Sequence, residues 1–245
     1  MATQSDSGCG WPAGPARPTL GQGQVHVWCA SLQQPAPQLA ALQALLAADE
    51  LERAQRFQFE HLRHHFIAGR GQLRLILSRY GAGAPDKLAF SYGPYGKPAL
   101  AGAPALHFNL AHSGGLALLA IARQEVGVDV DAVRPLPDWE AIARHYFSAA
   151  EIEQLAAVPG PQRDRAFFTC WTRKEAFLKA TGDGLSRPLD SFSVTLRPDE
   201  PARFLHITGE KADTWQLVAL EPANGHIGAL ALRQGDWQID YFAGA

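Results

Sequence analysis

The segment CWTRKEAFLKA (residues 170–180) is typical of a helix, yet it places a carboxylate among apolar side chains. At about 100° per residue, Trp171, Glu175 and Leu178 share one stripe of that helix. A buried carboxylate costs several kcal/mol unless a cation or a proton offsets its charge. A salt bridge to Lys179, four residues on, would stabilise the helix by only a few tenths of a kcal/mol and would not explain the apolar stripe. The helix therefore predicts a buried charge whose partners lie elsewhere in the fold.

Two further carboxylates stand in VGVDVD (residues 126–131). The alternation predicts a strand with valines on one face and Asp129 and Asp131 on the other, their Cα atoms about 6.6–7 Å apart. An exposed edge strand carries such a pair without any function, and the Asp-x-Asp pattern alone favours that interpretation. Together with Glu175, the two aspartates make an all-oxygen set suited to Mg²⁺ and compatible with Mn²⁺. We therefore favour a metal site formed by Asp129, Asp131 and Glu175.

Composition limits the classes of protein that this chain can belong to. It has 245 residues, 47% apolar and 19% charged, which fits one large domain or two small ones. A net charge of −2 provides no broad basic field for nucleic acid. No apolar run reaches the length of a membrane span, and the first residues lack a secretory signal. We therefore expect a cytoplasmic protein that binds neither nucleic acid nor membrane.

The three cysteines, Cys9, Cys29 and Cys170, show no CxxC spacing. This argues against a zinc site and against a disulfide framework. Cys170 stands in the middle of the predicted helix beside Trp171, where we expect a packed thiol.

The order of predicted elements repeats along the chain. Residues 1–22 are rich in Gly, Pro and Ser and predict a disordered tail. Residues 23–123 and residues 124–245 each predict a strand, shorter helices, one long helix (61–80 and 163–181) and then short strands. The fold class is therefore α+β, with an N-terminal lobe (23–123) and a C-terminal lobe (124–245). Each lobe is a small, mostly antiparallel sheet packed on a long helix, with a cleft between them.

Several basic residues are candidates for phosphate contacts. His112 lies in FNLAHSGG (residues 108–115), where two glycines let backbone amides approach an anion, although such glycines are also ordinary hairpin residues. Lys97, Lys174 and Lys179 are further candidates, each with the alternative of a solvated surface lysine. Arg53 belongs to a set of helix-surface arginines of which one or two could reach a cleft.

These motifs together resemble the 4′-phosphopantetheinyl transferases, in particular the larger surfactin-synthetase-activating type. The resemblance rests on FNLAHS (108–113), GVDVD (127–131) and WTRKEAFLKATGDGL (171–185), with YGKP (95–98) as a weaker fourth mark. The match extends over about residues 50–196. Its order and spacing are more specific than any one motif.

The resemblance implies transfer of 4′-phosphopantetheine from coenzyme A to a serine of an apo acyl, peptidyl or polyketide carrier protein, with release of adenosine 3′,5′-bisphosphate. It implies a pseudo-twofold, two-lobed monomer with coenzyme A in the cleft. By family position, Asp129, Asp131 and Glu175 bind Mg²⁺ and Lys179 contacts the pyrophosphate. Glu175 is also placed to accept the serine proton, and the roles of ligand and base stay open.

The remaining contacts to coenzyme A follow from the same resemblance. His112 and Arg53 would face its 3′-phosphate, and the loop of Tyr95 and Lys97 would lie along the adenine. Three departures affect these roles. The strand ends in Asp131 where this type often has Glu, Ala111 replaces a Ser, and Glu50 stands at a position that is basic in some members.

Two other functions remain as alternatives. A nonenzymatic module that binds coenzyme A or a carrier would need a lost ligand, and none is missing from the motifs. A metal-dependent phosphohydrolase would need further His or Asp ligands for a second metal, which the sequence does not supply.

Overall fold

The structure is a computed structural model that describes residues 9–103, 105–197 and 199–244. The N-terminal half contains β1 (Gln24–Ser31), α1 (Ala36–Gln43), α2 (Ala48–Gln55), α3 (Glu60–Arg79), β2 (Phe90–Tyr92), β3 (Pro98–Leu100), β4 (His107–Ser113) and β5 (Leu116–Ala122). The C-terminal half contains β6 (Val126–Ala132), α4 (Trp139–Tyr146), α5 (Ala149–Ala157), α6 (Gly160–Thr181), β7 (Phe192–Val194), β8 (Phe204–Ile207), β9 (Trp215–Leu220), β10 (His226–Arg233) and β11 (Gln238–Ala243). The predicted α+β class is confirmed.

Two larger sheets form the centre of the molecule. The first has the strand order β11-β1-β5-β4 and is antiparallel except where β11 runs parallel to β1. The second is antiparallel throughout, with the order β6-β10-β9. Because β11 follows all the C-terminal strands yet joins the N-terminal sheet, the two halves of the chain share one sheet.

The layers follow the order helix, sheet, sheet, helix. Val126, Val128 and Val130 of β6 belong to an apolar cluster shared with β1 and β5, so the two sheets pack face to face. On their outer faces, α3 covers the first sheet and α6 covers the second. Strand β5, LALLAIA, is buried along its whole length and therefore carries no polar alternation.

Close packing of α6 on β6 depends on Gly127. A Cβ atom at this position would lie 2.0 Å from the carbonyl oxygen of Ala176 and 2.3 Å from the backbone nitrogen of Ala180. Glycine therefore allows α6 to lie directly on the strand. The aspartates of β6 are thereby brought to the residues of the last turns of α6.

The N-terminal segment differs from the sequence prediction. Residues 9–22 were expected in a disordered tail, but Leu20 is buried and Ala13 forms a parallel bridge with Ala243. Cys9 forms a disulfide with Cys29 of β1, although the cysteine spacing argues against a disulfide framework. Two cysteines far apart in sequence give no spacing signal, which is why the pattern missed the pair. Residues 1–8 of the predicted tail lie outside the described residues.

Other differences are local. The shorter helices of the N-terminal lobe are α1 and α2, and the short strands β3 and β8 have no clear sequence pattern. Cys170 is a buried free thiol, as predicted. Within the described ranges, no helix has both the length and the apolar character needed to cross a membrane.

Candidate functional site

A pocket of about 230 Å³ opens where the two halves of the chain meet. Its walls come from the β2–β3 turn, from β4 and from the C-terminal end of α6. The lining residues are Tyr95, Gly96, Lys97, Asn109, Glu175, Leu178, Lys179, Gly182 and Gly184. Four of the predicted site residues therefore share one pocket.

The seam between β4 and β6 fixes the geometry beside this pocket. The side-chain oxygen of Asn109 accepts a hydrogen bond from the backbone N–H of Val128 at 2.8 Å. The Ser113 hydroxyl donates to Asp131 Oδ1 at 2.6 Å. Side chains of the FNLAHS motif thus replace ladder hydrogen bonds between the two strands and set the position of the aspartate strand.

Asp129 and Glu175 are acids with too little positive charge around them. Asp129 is 7% exposed, and its Oδ1 accepts a 2.6 Å hydrogen bond from Lys179. Burial nevertheless raises the pKa of Asp129 to about 6, against the opposing effect of Lys179, and the nearby charges of Glu175 and Asp131 raise it further. Burial also raises the pKa of Glu175, which Lys179 only partly opposes. Both carboxylates would be stabilised as anions by an added cation.

Asp131 is held differently. Its Oδ1 accepts hydrogen bonds from Ser113, from the backbone N–H of Ala132 at 2.9 Å and from Arg134 Nη1 at 2.9 Å. One of its two oxygens is therefore already satisfied by the protein.

The three acids fit Mg²⁺ by the chemistry of their donors, which are hard carboxylate oxygens. Their side chains do not converge: within residues 9–103, 105–197 and 199–244, no three His, Cys, Asp or Glu residues are grouped as a metal site. Asp129 already accepts a hydrogen bond from Lys179, and Asp131 already accepts hydrogen bonds from Ser113 and Arg134. The charges of Glu175 and Asp131 raise the pKa of Asp129, so the three acids are neighbours, and their role as metal ligands stays a prediction.

His112 is the last residue but one of β4. Burial lowers the pKa of His112, and the positive charges of Lys179 and His65 lower it further. These interactions place an imidazole from α3 and one from β4 on the Lys179 side of the site. His65 was not singled out from the sequence, because a lone helix histidine carries no signal until the fold brings it to β4.

Lys97 is at the pocket but its ammonium group is fully used inside the protein. It donates to the carbonyl oxygens of Ala180 at 3.0 Å and Val126 at 3.3 Å, and it pairs with Glu125 at 2.6 Å. An ammonium has three donors, so none is left for a phosphate in this arrangement. Lys97 fastens the β2–β3 turn to the end of α6.

Tyr95 forms the outer edge of the same pocket. Its ring is 59% exposed. A Cβ atom at Gly184 would lie 3.0 Å from the Tyr95 Cβ, so the absence of a side chain at Gly184 leaves room for this ring. An exposed aromatic ring beside a polar pocket is suited to stacking on a planar ligand group.

Two predicted contacts lie away from the pocket. Lys174 has no exposed side-chain surface; it pairs with Glu151 at 2.8 Å and donates to the carbonyl oxygens of Leu189 and Phe192. The prediction that Lys174 contacts a phosphate is therefore wrong. Lys174 and Lys179 are five positions apart in sequence, so their side chains lie about 140° apart around the helix. Arg53 is exposed over the ring of Phe66 and does not line the pocket.

Glu50, expected to weaken phosphate recognition because it replaces a basic residue, has a structural role instead. It is buried and forms ion pairs with Arg70 and Arg74.

Comparison with known proteins identifies the class that this site and fold belong to. The model of the 4′-phosphopantetheinyl transferase superfamily matches residues 125–238. The 4′-phosphopantetheinyl transferase HetI of Nostoc sp. is 40% identical over 95% of this chain and 97% of its own length. The 4′-phosphopantetheinyl transferase Sfp of Bacillus subtilis is 33% identical over 64% of this chain and 69% of its own length. Among solved structures, holo-[acyl-carrier-protein] synthase of Thermotoga maritima shows a weak likeness, with a TM-score of 0.35 and 20% identity over 45% of this chain and 62% of its own.

The chain therefore belongs to the 4′-phosphopantetheinyl transferase superfamily, which confirms the resemblance found in its motifs. It is an enzyme of the 4′-phosphopantetheinyl transferase class.

Proposed function

We propose that this chain transfers 4′-phosphopantetheine from coenzyme A to a serine of an apo carrier protein, in a Mg²⁺-dependent reaction that releases adenosine 3′,5′-bisphosphate. One observation carries the proposal: the undercompensated acids Asp129 and Glu175 stand beside Lys179 at a pocket between the two halves of the chain. Membership of the transferase superfamily supplies the reaction type.

The reaction forms one phosphorus–oxygen bond and breaks another. The serine Oγ attacks the β-phosphorus of coenzyme A, and the bond to the bridging oxygen breaks. The electron pair of that bond leaves with adenosine 3′,5′-bisphosphate. The serine hydroxyl loses its proton, so the site needs a group that accepts it.

Glu175 is the best-placed proton acceptor among the pocket residues. Burial raises the pKa of Glu175, which makes it a stronger base than an ordinary exposed glutamate. Lys179 carries a positive charge into the same pocket and would stabilise the pyrophosphate as its negative charge grows. In this structure Lys179 is bound to Asp129, so the incoming phosphates would compete with that carboxylate for the ammonium.

Asp129, Glu175 and Asp131 would hold the metal ion, with Asp131 contributing the oxygen that Ser113 and Arg134 leave free. A bound Mg²⁺ would offset the negative charge of the pyrophosphate oxygens. The 3′-phosphate would lie outside the pocket, where it would face His112 and Arg53, and Tyr95 would lie along the adenine. Lys97 would hold the Tyr95 turn in place through its bonds to Ala180 and Val126.

The test is a transfer assay read by intact mass. The protein is incubated with coenzyme A, Mg²⁺ and an apo carrier protein, and the carrier should gain the mass of one phosphopantetheine. A carrier with its acceptor serine changed to alanine, and a reaction with excess EDTA, should both show no gain. Loss of coenzyme A without a gain in carrier mass would instead favour a phosphohydrolase, and an unchanged donor and carrier would favour a binding module.

A further inference from the structure

Large apolar side chains are exposed at the start of α3 and on the β2–β3 hairpin. Among the described residues, Phe59 is 60% exposed and Leu62 is 41% exposed, and Tyr92 and Tyr95 are exposed on the β2–β3 hairpin. Phe59 and Leu62 are three residues apart at the start of α3, so they lie on the same side of its first turn. Large apolar side chains left together in solvent are typical of an interaction surface.

A series of close neighbours connects this pair to the pocket. The ring of Phe59 lies 5.9 Å from that of His61, and His61 lies 6.3 Å from His65. The positive charges of His65 and Lys179 both lower the pKa of His112. Phe59 and Leu62 therefore lie at the start of the helix that leads through His61 and His65 towards His112.

The charge around the pair is positive although the whole chain has a net charge of −2. Residues 53–66 contain three arginines, three histidines and a single glutamate. That glutamate, Glu60, already pairs with Arg63 and lies 3.5 Å from His64. Arg56 is exposed and has no acidic partner within the described part of the chain. A partner that covers this surface should carry acidic side chains around an apolar centre.

We propose that Phe59 and Leu62, with Arg56 beside them, form the docking surface for the acceptor protein, whose modified serine is flanked by apolar and acidic side chains. This inference rests on the proposed function, because it assigns a surface to the protein substrate of that reaction. The surface places the acceptor at the pocket and plays no part in binding the donor, so it acts on acceptor affinity alone.

The experiment compares a double variant, Phe59→Ser with Leu62→Ser, with the matched control Leu205→Ser. Leu205 is 42% exposed on β8 and does not line the pocket. Transfer rates are measured against carrier concentration and, separately, against coenzyme A concentration. We expect the double variant to raise KM for the carrier about tenfold, as loss of an apolar anchor does in other interfaces, and to leave KM for coenzyme A unchanged. The control should match the wild type in both.

Two further measurements test the role of the positive charge of Arg56 and the binding of the carrier protein to this surface. Arg56→Glu should raise KM for the carrier and weaken its dependence on salt concentration. Binding of a carrier whose acceptor serine is alanine, measured without coenzyme A, should weaken in the double variant by the same factor as KM. The binding measurement uses an inert acceptor, so it does not depend on turnover.

The outcomes separate the two proposals. If the wild type does not modify the carrier at all, the proposed function fails. If the wild type modifies the carrier and the double variant keeps its KM for the carrier, the docking surface is wrong. A rise in KM for coenzyme A in the double variant would overturn it as well, and so would a wild-type dimer that the double variant dissociates, since a second copy would then cover these residues.

Discussion

The two long helices each carry a buried cation that pairs with a glutamate from the preceding helix. Arg74 of α3 pairs with Glu50 of α2 at 2.7 Å, and Lys174 of α6 pairs with Glu151 of α5 at 2.8 Å. Both glutamates are the third residue of their helix and also accept the N–H of the residue that caps it. The two halves of the chain thus share a structural ion pair at corresponding places, although their sequences show no clear identity.

The halves differ at the next residue of each long helix and on the strand beneath it. Leu75 follows Arg74, whereas Glu175 follows Lys174; Trp28 of β1 packs towards α3, whereas Asp129 of β6 meets α6. The site acids therefore occur only in the C-terminal half, where the N-terminal half has apolar side chains.

The pKa values separate the two kinds of buried acid. Burial alone would raise the pKa of Glu50, but hydrogen bonds from Arg74, Ala47 and Arg70 outweigh it and hold the pKa below its ordinary value. The pKa of Asp129 is raised to about 6 because one lysine does not offset its burial. A buried carboxylate with its charge fully offset stabilises the fold, and one without that compensation marks a place for a ligand.

The largest effect should follow from removing either site acid. Asp129→Ala and Glu175→Ala should each lower kcat/KM for carrier modification by more than about 100-fold, the upper end of losses seen for residues that only support metal ligands. The measurement is initial rate at saturating coenzyme A and millimolar Mg²⁺. Glu221→Ala, which removes a surface carboxylate paired with Arg165, should retain full activity. Near-normal turnover by either site variant would remove the basis of the metal and base assignments.

Substitutions at two lysines of α6 should have opposite effects on stability and activity. Lys174→Met leaves Glu151 buried and unpaired, which should lower the free energy of unfolding by about 3–5 kcal/mol. Lys179→Met should cost less stability, because Asp129 takes a proton more readily than an ordinary aspartate, but it should abolish transfer. Denaturant unfolding and carrier modification are measured on both variants.

The control for this pair is the double variant Lys174→Met with Glu151→Leu, which removes both charges. It should regain much of the lost stability, because no unpaired charge remains in the core. Loss of transfer with normal stability in Lys174→Met would mean that Lys174 reaches the ligand after all.

Much of this arrangement could be predicted from the sequence. Alternating valines and aspartates identified β6, and the position of Glu175 on an apolar stripe identified the face of α6 that meets it. Ser148 and Glu151 form a capping box, a local sequence pattern that indicates the start of α5. These signals are local, since each depends on residues less than two helical turns apart.

The errors come from contacts between distant segments. Lys174 and Lys179 look equally suited to a phosphate in sequence, and only the packing of α5 shows that Glu151 takes the former. The pairing of Cys9 with Cys29 likewise depends on how the N-terminal segment lies against β1. Lys97 also looks suited to a ligand in sequence. Its three internal acceptors come from β6, α6 and the residue before β6, and no local pattern connects these segments.

A smaller effect should appear in the acid stability of the N-terminal ion pair. Because the pKa of Glu50 is lower in the folded protein than its ordinary value of 4.5, its stabilising contribution is complete above about pH 4.5. It is lost as the pH falls through the lowered folded value. The difference in unfolding free energy between wild type and Glu50→Gln should therefore be largest near neutral pH and shrink below pH 4.5. Unfolding by urea at a series of pH values measures this, and a constant difference would show that the arginines do not act on the ionised carboxylate.

The smallest expected effect concerns the histidine that joins the two halves of the site. His112→Ala should weaken transfer from coenzyme A more than transfer from dephospho-coenzyme A, which lacks the 3′-phosphate. Burial, Lys179 and His65 lower the pKa of His112, so at pH 8 the ring is neutral and its hydrogen bond should contribute about 0.5–1.5 kcal/mol. The ratio of kcat/KM for the two donors should therefore fall by about two- to thirteenfold. As the pH falls through the lowered pKa of His112, the wild-type ring gains charge and the difference should grow, since a charge-assisted bond contributes more. His206→Ala, which removes an exposed imidazole on β8, should leave the ratio unchanged, and an unchanged ratio in His112→Ala would assign this residue to the packing of β4 alone.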